Sequence, residues 1–213
     1  MMKLLSQRTL RAIIDGPAGN IEIMYSKPED QKISNLAIIC HPHPLHEGTM
    51  HNKVVTTLAK TFDKANMATI RFNFRGVGKS TGIFDNANGE CDDLIAVHSW
   101  AQQNIYSKKC ILAGFSFGSY ICCKSANTIK PSALVTVAPA VVKQDYGSYP
   151  TYNCPWWLIQ GDKDEITPSE SVYSWAKNHP QKPSVIKISD ASHFFHGKLG
   201  EVEQKLTNVI SGS

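Results

Sequence analysis

The stretch Cys110-Ile111-Leu112-Ala113-Gly114-Phe115-Ser116-Phe117-Gly118 decides how the rest of the chain is read. Its first four residues form a short apolar run, as a buried strand requires, and residues 119–129 after it read as a helix. Between the two lies Gly-x-Ser-x-Gly. A strand that turns sharply into a helix forces the central residue into a strained backbone conformation, and side chains at 114 and 118 would obstruct that turn. The turn exposes the Ser116 hydroxyl and aims the Phe117 amide at a reacting carbonyl. With 14 glycines in 213 residues, composition alone yields about 0.08 chance matches to the pattern. The flanking strand and helix therefore carry the weight.

Outward from this turn, short β-rich runs alternate with amphipathic segments. Residues 21–25 alternate like a strand behind a turn at 17–20, and residues 36–40, 69–74, 134–138, 156–160 and 185–188 are short, apolar and often β-branched. Near-continuous apolar runs suit a parallel sheet covered on both faces. Trp156 and Trp157 are adjacent on one such run, so they face opposite sides and read as core on two faces. Between the runs, Val54, Val55, Leu58, Ala59 and Phe62 recur at helical spacing, with Asn66 as a left-handed stop. A second helix starts near Glu90, where Asp92 and Asp93 suit the positive end of the helix dipole. A third starts at Thr167, with Glu170 at capping-box spacing and Pro168 at the first helical position. Strand-helix-strand order after residue 35 is a doubly wound α/β domain, expected to occupy the whole chain, 1–213. Ligands bind beyond the carboxyl ends of the strands in such sheets.

A serine hydroxyl is a weak nucleophile without a base, so a histidine and an acid are sought after other strands. Gln160-Gly161-Asp162-Lys163-Asp164 leaves one strand and Ala191-Ser192-His193 follows the last. With His41-Pro42-His43-Pro44, Arg71-Phe72-Asn73-Phe74-Arg75-Gly76-Val77-Gly78 and Ser192-His193-Phe194-Phe195, the order Ser, Asp, His resembles the α/β-hydrolase superfamily. The likeness spans roughly residues 35 to 200 and is nearest the small lidless branch of dienelactone-hydrolase-like serine hydrolases. It implies Ser116 as nucleophile, His193 as general base and later acid, and Asp164 as the orienting carboxylate. Asp162 is the rival acid and His196 the rival base, while Asp190 lies too near His193 in sequence to approach it comfortably. The resemblance places a second oxyanion donor in the loop after residues 36–40. Pro42 and Pro44 have no N–H, which leaves the His43 and Leu45 amides, with His43 preferred.

What this implies is a serine hydrolase acting on a small-molecule carboxylic ester or similar activated acyl group through an acyl-enzyme, with no cofactor and no metal. An acyltransferase with the same triad and a non-catalytic binding protein on the same fold are the alternatives. Residues 139–155 are too few for a cap domain, though Tyr146, Tyr149 and Tyr152 could overhang the site.

Composition narrows the classes further. Apolar residues make up 42% and charged residues 19%, which is globular. A chain this long buries about 70% of its unfolded surface, enough for a core without staples. The longest apolar run, residues 133–142, is too short to span a bilayer, so no membrane association is expected. The amino-terminal residues turn polar before a signal-peptide core could form, so a cytoplasmic location is expected, with the six cysteines as thiols. A net charge of +4 with scattered basic residues offers no nucleic-acid stripe. Gly76-Val77-Gly78-Lys79-Ser80-Thr81 resembles the end of a phosphate loop, but position 73 is Asn73 where that motif needs glycine. His41, His43, His46 and His51 could suggest a metal, yet their only local carboxylate is Glu47.

Overall fold

The computed structural model describes residues 9–28, 34–146 and 151–211. Its chain order runs β1 (Leu10–Gly16), β2 (Gly19–Ser26), β3 (Ser34–Cys40), α1 (Lys53–Lys64), β4 (Ala68–Phe72), α2 (Asn88–Asn104), β5 (Ser107–Phe115), α3 (Phe117–Ile129), β6 (Ala133–Val137), β7 (Trp156–Gly161), α4 (Ser169–Asn178), β8 (Ser184–Ile188) and α5 (Leu199–Ser211). The strands form one eight-stranded sheet in the order β1-β2-β4-β3-β5-β6-β7-β8. Pairings from β4 through β8 are parallel, while β1 and β2 form an antiparallel hairpin that joins β4 antiparallel. This is the α/β-hydrolase fold expected from the sequence.

Period-two alternation divides the side chains between two faces. Leu36, Ile38 and Cys40 of β3 join Leu94, Val97, Ile121 and Cys122 of α2 and α3 in one core layer. Ala37 and Ile39 face Val55, Leu58, Val202 and Leu206 of α1 and α5 in the other. Trp156 is buried in the first layer and Trp157 packs against the second, as adjacent strand positions dictate.

The chain leaves β3 toward β4 on one side and returns through α2 to β5 on the other. The β3 and β5 carboxyl ends are therefore neighbours at the point where strand order reverses, with Cys40 paired opposite Gly114. That crevice is where a ligand site belongs.

Several local expectations shift. The fourth strand ends at Phe72, and α3 begins at Phe117 directly after the turn. Helix α1 stops near Asn66, whose φ of 58° is left-handed as expected. Asp93 does not serve the α2 dipole; its carboxylate accepts hydrogen bonds from the Arg75 backbone and guanidinium in a nearly buried ion pair. Thr167 does not cap α4. Its amide donates to Asp164 Oδ1 at 2.7 Å, so the turn below β7 claims it, and the extended Pro168 (ψ 123°) becomes the cap instead. Segment 138–146 is a run of turns with no helix among its described residues. Tyr146 and Tyr152 are buried against Tyr120, Trp156 and Trp175 rather than overhanging the crevice, and Tyr149 lies outside the described residues. Among the described residues, no helix is long and apolar enough to cross a membrane.

Candidate active site

Ser116 sits between β5 and α3 with φ 53° and ψ −115°, a conformation that L-residues avoid unless their surroundings enforce it. The enforcing contacts are specific. The Ser116 N–H donates to Val137 O at 2.8 Å, and the buried Ser119 hydroxyl donates to Gly114 O at 2.7 Å. These bonds tie the first turn of α3 to both β5 and β6. A Cβ on Gly114 would lie 2.3 Å from Gly118 O, and one on Gly118 would lie 2.4 Å from Cys40 O. Both glycines are required by close backbone approach, and the second lets α3 press against the end of β3.

Asp164 ends the turn after β7. Its Oδ1 accepts from the Ile166 and Thr167 amides at 2.9 and 2.7 Å. Its Oδ2 accepts from Gln160 Nε2 at 2.9 Å and lies 2.8 Å from His193 Nδ1. Burial alone would raise the Asp164 pKa. The hydrogen bonds from His193, the Thr167 amide and Gln160, with the charge on His193, outweigh it and hold the carboxyl below the ordinary aspartate value. An ionised Asp164 has no proton to give, so the proton between the pair rests on Nδ1. His193 Nε2 then presents a lone pair 3.2 Å from Ser116 Oγ. An arrangement of this kind can take a proton from the hydroxyl and stabilise the resulting imidazolium.

The other sequence candidates lie apart from this chain. Asp162, Asp190 and His196 are exposed, and the Asp162 amide is engaged by Ile188 O of β8. In the loop after β3, the Leu45 N–H donates to His43 Nδ1 at 3.2 Å and is spent. The His43 and Phe117 amides donate to no acceptor among the described residues. Burial, followed by the nearby His46 and Lys143, lowers the His43 pKa, which keeps that ring neutral at pH 7.

His41 cannot join His43 in chelating a metal through its ring. Its Nδ1 lies 2.6 Å from Pro42 O and its Nε2 accepts the Phe74 amide at 3.0 Å, so both nitrogens are taken. Near the phosphate-loop lookalike, Glu22 accepts from Asn73 Nδ2 and the Lys79 amide at 2.8 and 3.0 Å, which puts a carboxylate where a phosphate would need donors.

A cavity of about 700 Å³ opens over Ser116 and His193, walled by His43, Phe117, Ile166 and Phe194. Lys143 and Gln144, from the turns after β6, complete its rim. Sequence reasoning passed over three buried or bridging supports. Gln160 reads as the polar end of a strand, yet it braces Asp164. Glu165 accepts the His193 backbone N–H at 3.1 Å, and Asn73 Oδ1 accepts the Met50 amide at 2.9 Å.

Known proteins match this picture. The sequence profile of the family described as serine aminopeptidase, S33, matches residues 38–152. An uncharacterized protein of Rickettsia prowazekii (strain Madrid E) is 33% identical over 206 residues, covering 92% of this chain and 86% of its own. The structure of an α/β serine hydrolase homologue from Coxiella burnetii superposes with a TM-score of 0.89 at 45% identity, covering 93% of this chain and 96% of its own. A Xanthomonas campestris protein described as an α/β serine hydrolase without lid gives 0.88 at 36% identity, covering 97% and 95% respectively. A family profile that spans more than half of the chain, with relatives this similar over nearly all of it, makes the chain a member of the serine aminopeptidase S33 family within the α/β-hydrolase superfamily.

Proposed function

We propose that this chain is a serine hydrolase that cleaves a carboxylic ester, or a similarly activated acyl bond, through an acyl-enzyme on Ser116. The observation that carries the reading is the unbroken path from Ser116 Oγ to His193 Nε2 at 3.2 Å and from His193 Nδ1 to Asp164 Oδ2 at 2.8 Å, beneath an open cavity.

Ser116 Oγ attacks the carbonyl carbon while its proton passes to His193 Nε2. The imidazolium is stabilised by Asp164, which keeps its charge throughout. The carbonyl oxygen becomes an oxyanion held by the Phe117 and His43 amides, two donors with no acceptor among the described residues. Collapse of the tetrahedral intermediate breaks the bond to the alcohol, which leaves with the proton from Nε2. Water then gives a proton to Nε2 and attacks the acyl-enzyme; the second intermediate releases the acid, and Ser116 recovers its proton. Every step uses side chains and backbone amides of this chain. The buried thiols fit a reducing compartment, which supports a cytoplasmic location.

A second acyl bond is worth separating. The family description points to an N-terminal amide, and Glu47 on the cavity wall is a carboxylate that a substrate ammonium could meet. Labelling with a fluorophosphonate, then turnover of p-nitrophenyl esters beside alanine p-nitroanilide, tests both. Ester turnover and labelling that vanish in Ser116→Ala are expected. Labelling at another residue would overturn the mechanism, and anilide turnover exceeding ester turnover would favour the peptidase reading.

A further inference from the structure

His41 directly follows β3, and its ring is wholly buried. The Phe74 N–H points at Nε2 from 3.0 Å. A backbone amide only donates, so Nε2 must carry the lone pair and the ring proton must sit on Nδ1. Nδ1–H therefore donates to Pro42 O at 2.6 Å. That carbonyl shares one peptide unit with the His43 N–H. The unit is trans and planar, so its C=O and N–H point in opposite directions, and fixing one fixes the other.

A second feature bears on the same unit from outside. A Cβ on Gly48 would stand 2.1 Å from Pro42 O and 2.5 Å from His43 O, so only glycine admits these carbonyls in their present orientation. The adjoining peptide is held as well, because His43 O accepts the His46 and Gly48 amides at 3.0 and 3.1 Å.

We infer that His41 is a positioning residue that sets the rotation of the Pro42–His43 peptide and so holds the His43 N–H toward the oxyanion of the reaction. The inference rests on the function proposed above. The ring spans from the β3 loop to the backbone after β4, which ties a donor on a loop to the frame of the sheet. If the peptide rotated away, the buried Nδ1–H would lose its acceptor, and the His43 N–H would turn from the cavity that Pro42 and His43 line. Pro42 and Pro44 supply no substitute N–H, and Leu45 has already spent its own.

A matched pair of variants separates positioning from packing. Asn can place its amide nitrogen where Nδ1 stands, and Gln can place its side-chain oxygen where Nε2 stands. His41→Asn keeps the donor to Pro42 and loses the acceptor for Phe74; His41→Gln does the reverse. With a p-nitrophenyl ester, His41→Gln is expected to lose ~10²–10³ in kcat with KM nearly unchanged, because an oxyanion donor acts in the transition state. His41→Asn should stay within about tenfold of wild type. Gly48→Ala, which pushes the carbonyl from the other side, should share the kcat loss. Equal kcat in the Gln and Asn variants, or a loss carried by KM alone, would overturn the assignment.

Should the His41 variants fail to fold by near-ultraviolet circular dichroism, Gly48→Ala and the ¹⁵N spectrum of the wild-type ring decide, and an Nε2–H tautomer refutes it. Wild-type chain that resists fluorophosphonate would instead bring down the function reading, and this inference with it.

Discussion

Acid should unfold this protein through His41 in a way that can be calculated. Burial pushes the His41 pKa down to about 3, against a reference of 6.5; the hydrogen bond to Pro42 pulls it partly back up, and the neighbouring His43 pushes it down again. The folded chain therefore leaves this ring neutral where the unfolded chain protonates it. Above pH 6.5 neither state takes a proton and nothing is lost. As pH falls from 6.5 toward about 3, the unfolded state binds one proton more than the folded state, so the free energy of unfolding declines. The slope approaches ~1.4 kcal/mol per pH unit, which amounts to ~2 kcal/mol at pH 5 and ~5 kcal/mol in full. Against a total stability of roughly 5–15 kcal/mol this is a large fraction.

The assay is urea unfolding followed by tryptophan fluorescence at about pH 7.5, 6 and 5, for wild type and His41→Asn, extrapolated linearly to water. Asp164, whose lowered pKa makes its own stabilisation fade only at more acid pH, and the other histidines titrate in both proteins and cancel in the difference. Wild type should lose ~2 kcal/mol more than the variant between the highest and lowest pH. Curves that run parallel within ~0.5 kcal/mol would show that His41 is not held neutral, and the tautomer argument built on it would fall.

Three further outcomes are expected. Ser116→Ala should fold normally, because the backbone there is fixed by the residue-116 N–H donating to Val137 O and by the Ser119 hydroxyl donating to Gly114 O, yet show ester hydrolysis near background; wild-type turnover would end the mechanism. Asp164→Asn should lose up to ~10⁴ in kcat, since an amide can hold the imidazole in the wrong tautomer, whereas the exposed Asp162→Asn should change kcat by no more than about threefold. The reverse ranking in parallel assays would reassign the acid. Exhaustive EDTA should leave ester turnover unchanged, and a loss restored by zinc or manganese would demote Ser116.

The fold was legible because local spacing encodes it, and the three residues of the candidate site stand out in the sequence for the same reason. Gly114 and Gly118 flank Ser116 in a turn whose backbone contacts admit no side chain, and that demand is written within five residues. Asp164 and His193 follow strand ends, where the topology concentrates chemistry. Supports acting across the sheet left no such trace. The partner of His41 is Phe74, and the partner of Asn73 is Met50; those pairings exist only once β3 and β4 lie side by side. Thr167 carries a convincing cap signal, but a short aspartate turn outcompetes the helix for its amide. Strand β1 was obscured by its edge position, where Arg11, Ile13 and Asp15 are not buried and the apolar alternation breaks.

The buried thiols give the serine turn a built-in reporter. Cys40 closes β3 beneath Gly118, and Cys122 and Cys123 lie in α3, shortly after Ser116; all three are fully inaccessible. Cys154 alone among the six is partly open. A thiol reagent added to native protein thus meets Cys154 and the trio on different clocks, with the buried Cys91 and Cys110, 7% and 8% exposed, between them. Cys154 reacts at its leisure from the folded state, while the trio waits for α3 to lift from the sheet. Their modification rate measures how often the turn that carries Ser116 comes apart, without any substrate present.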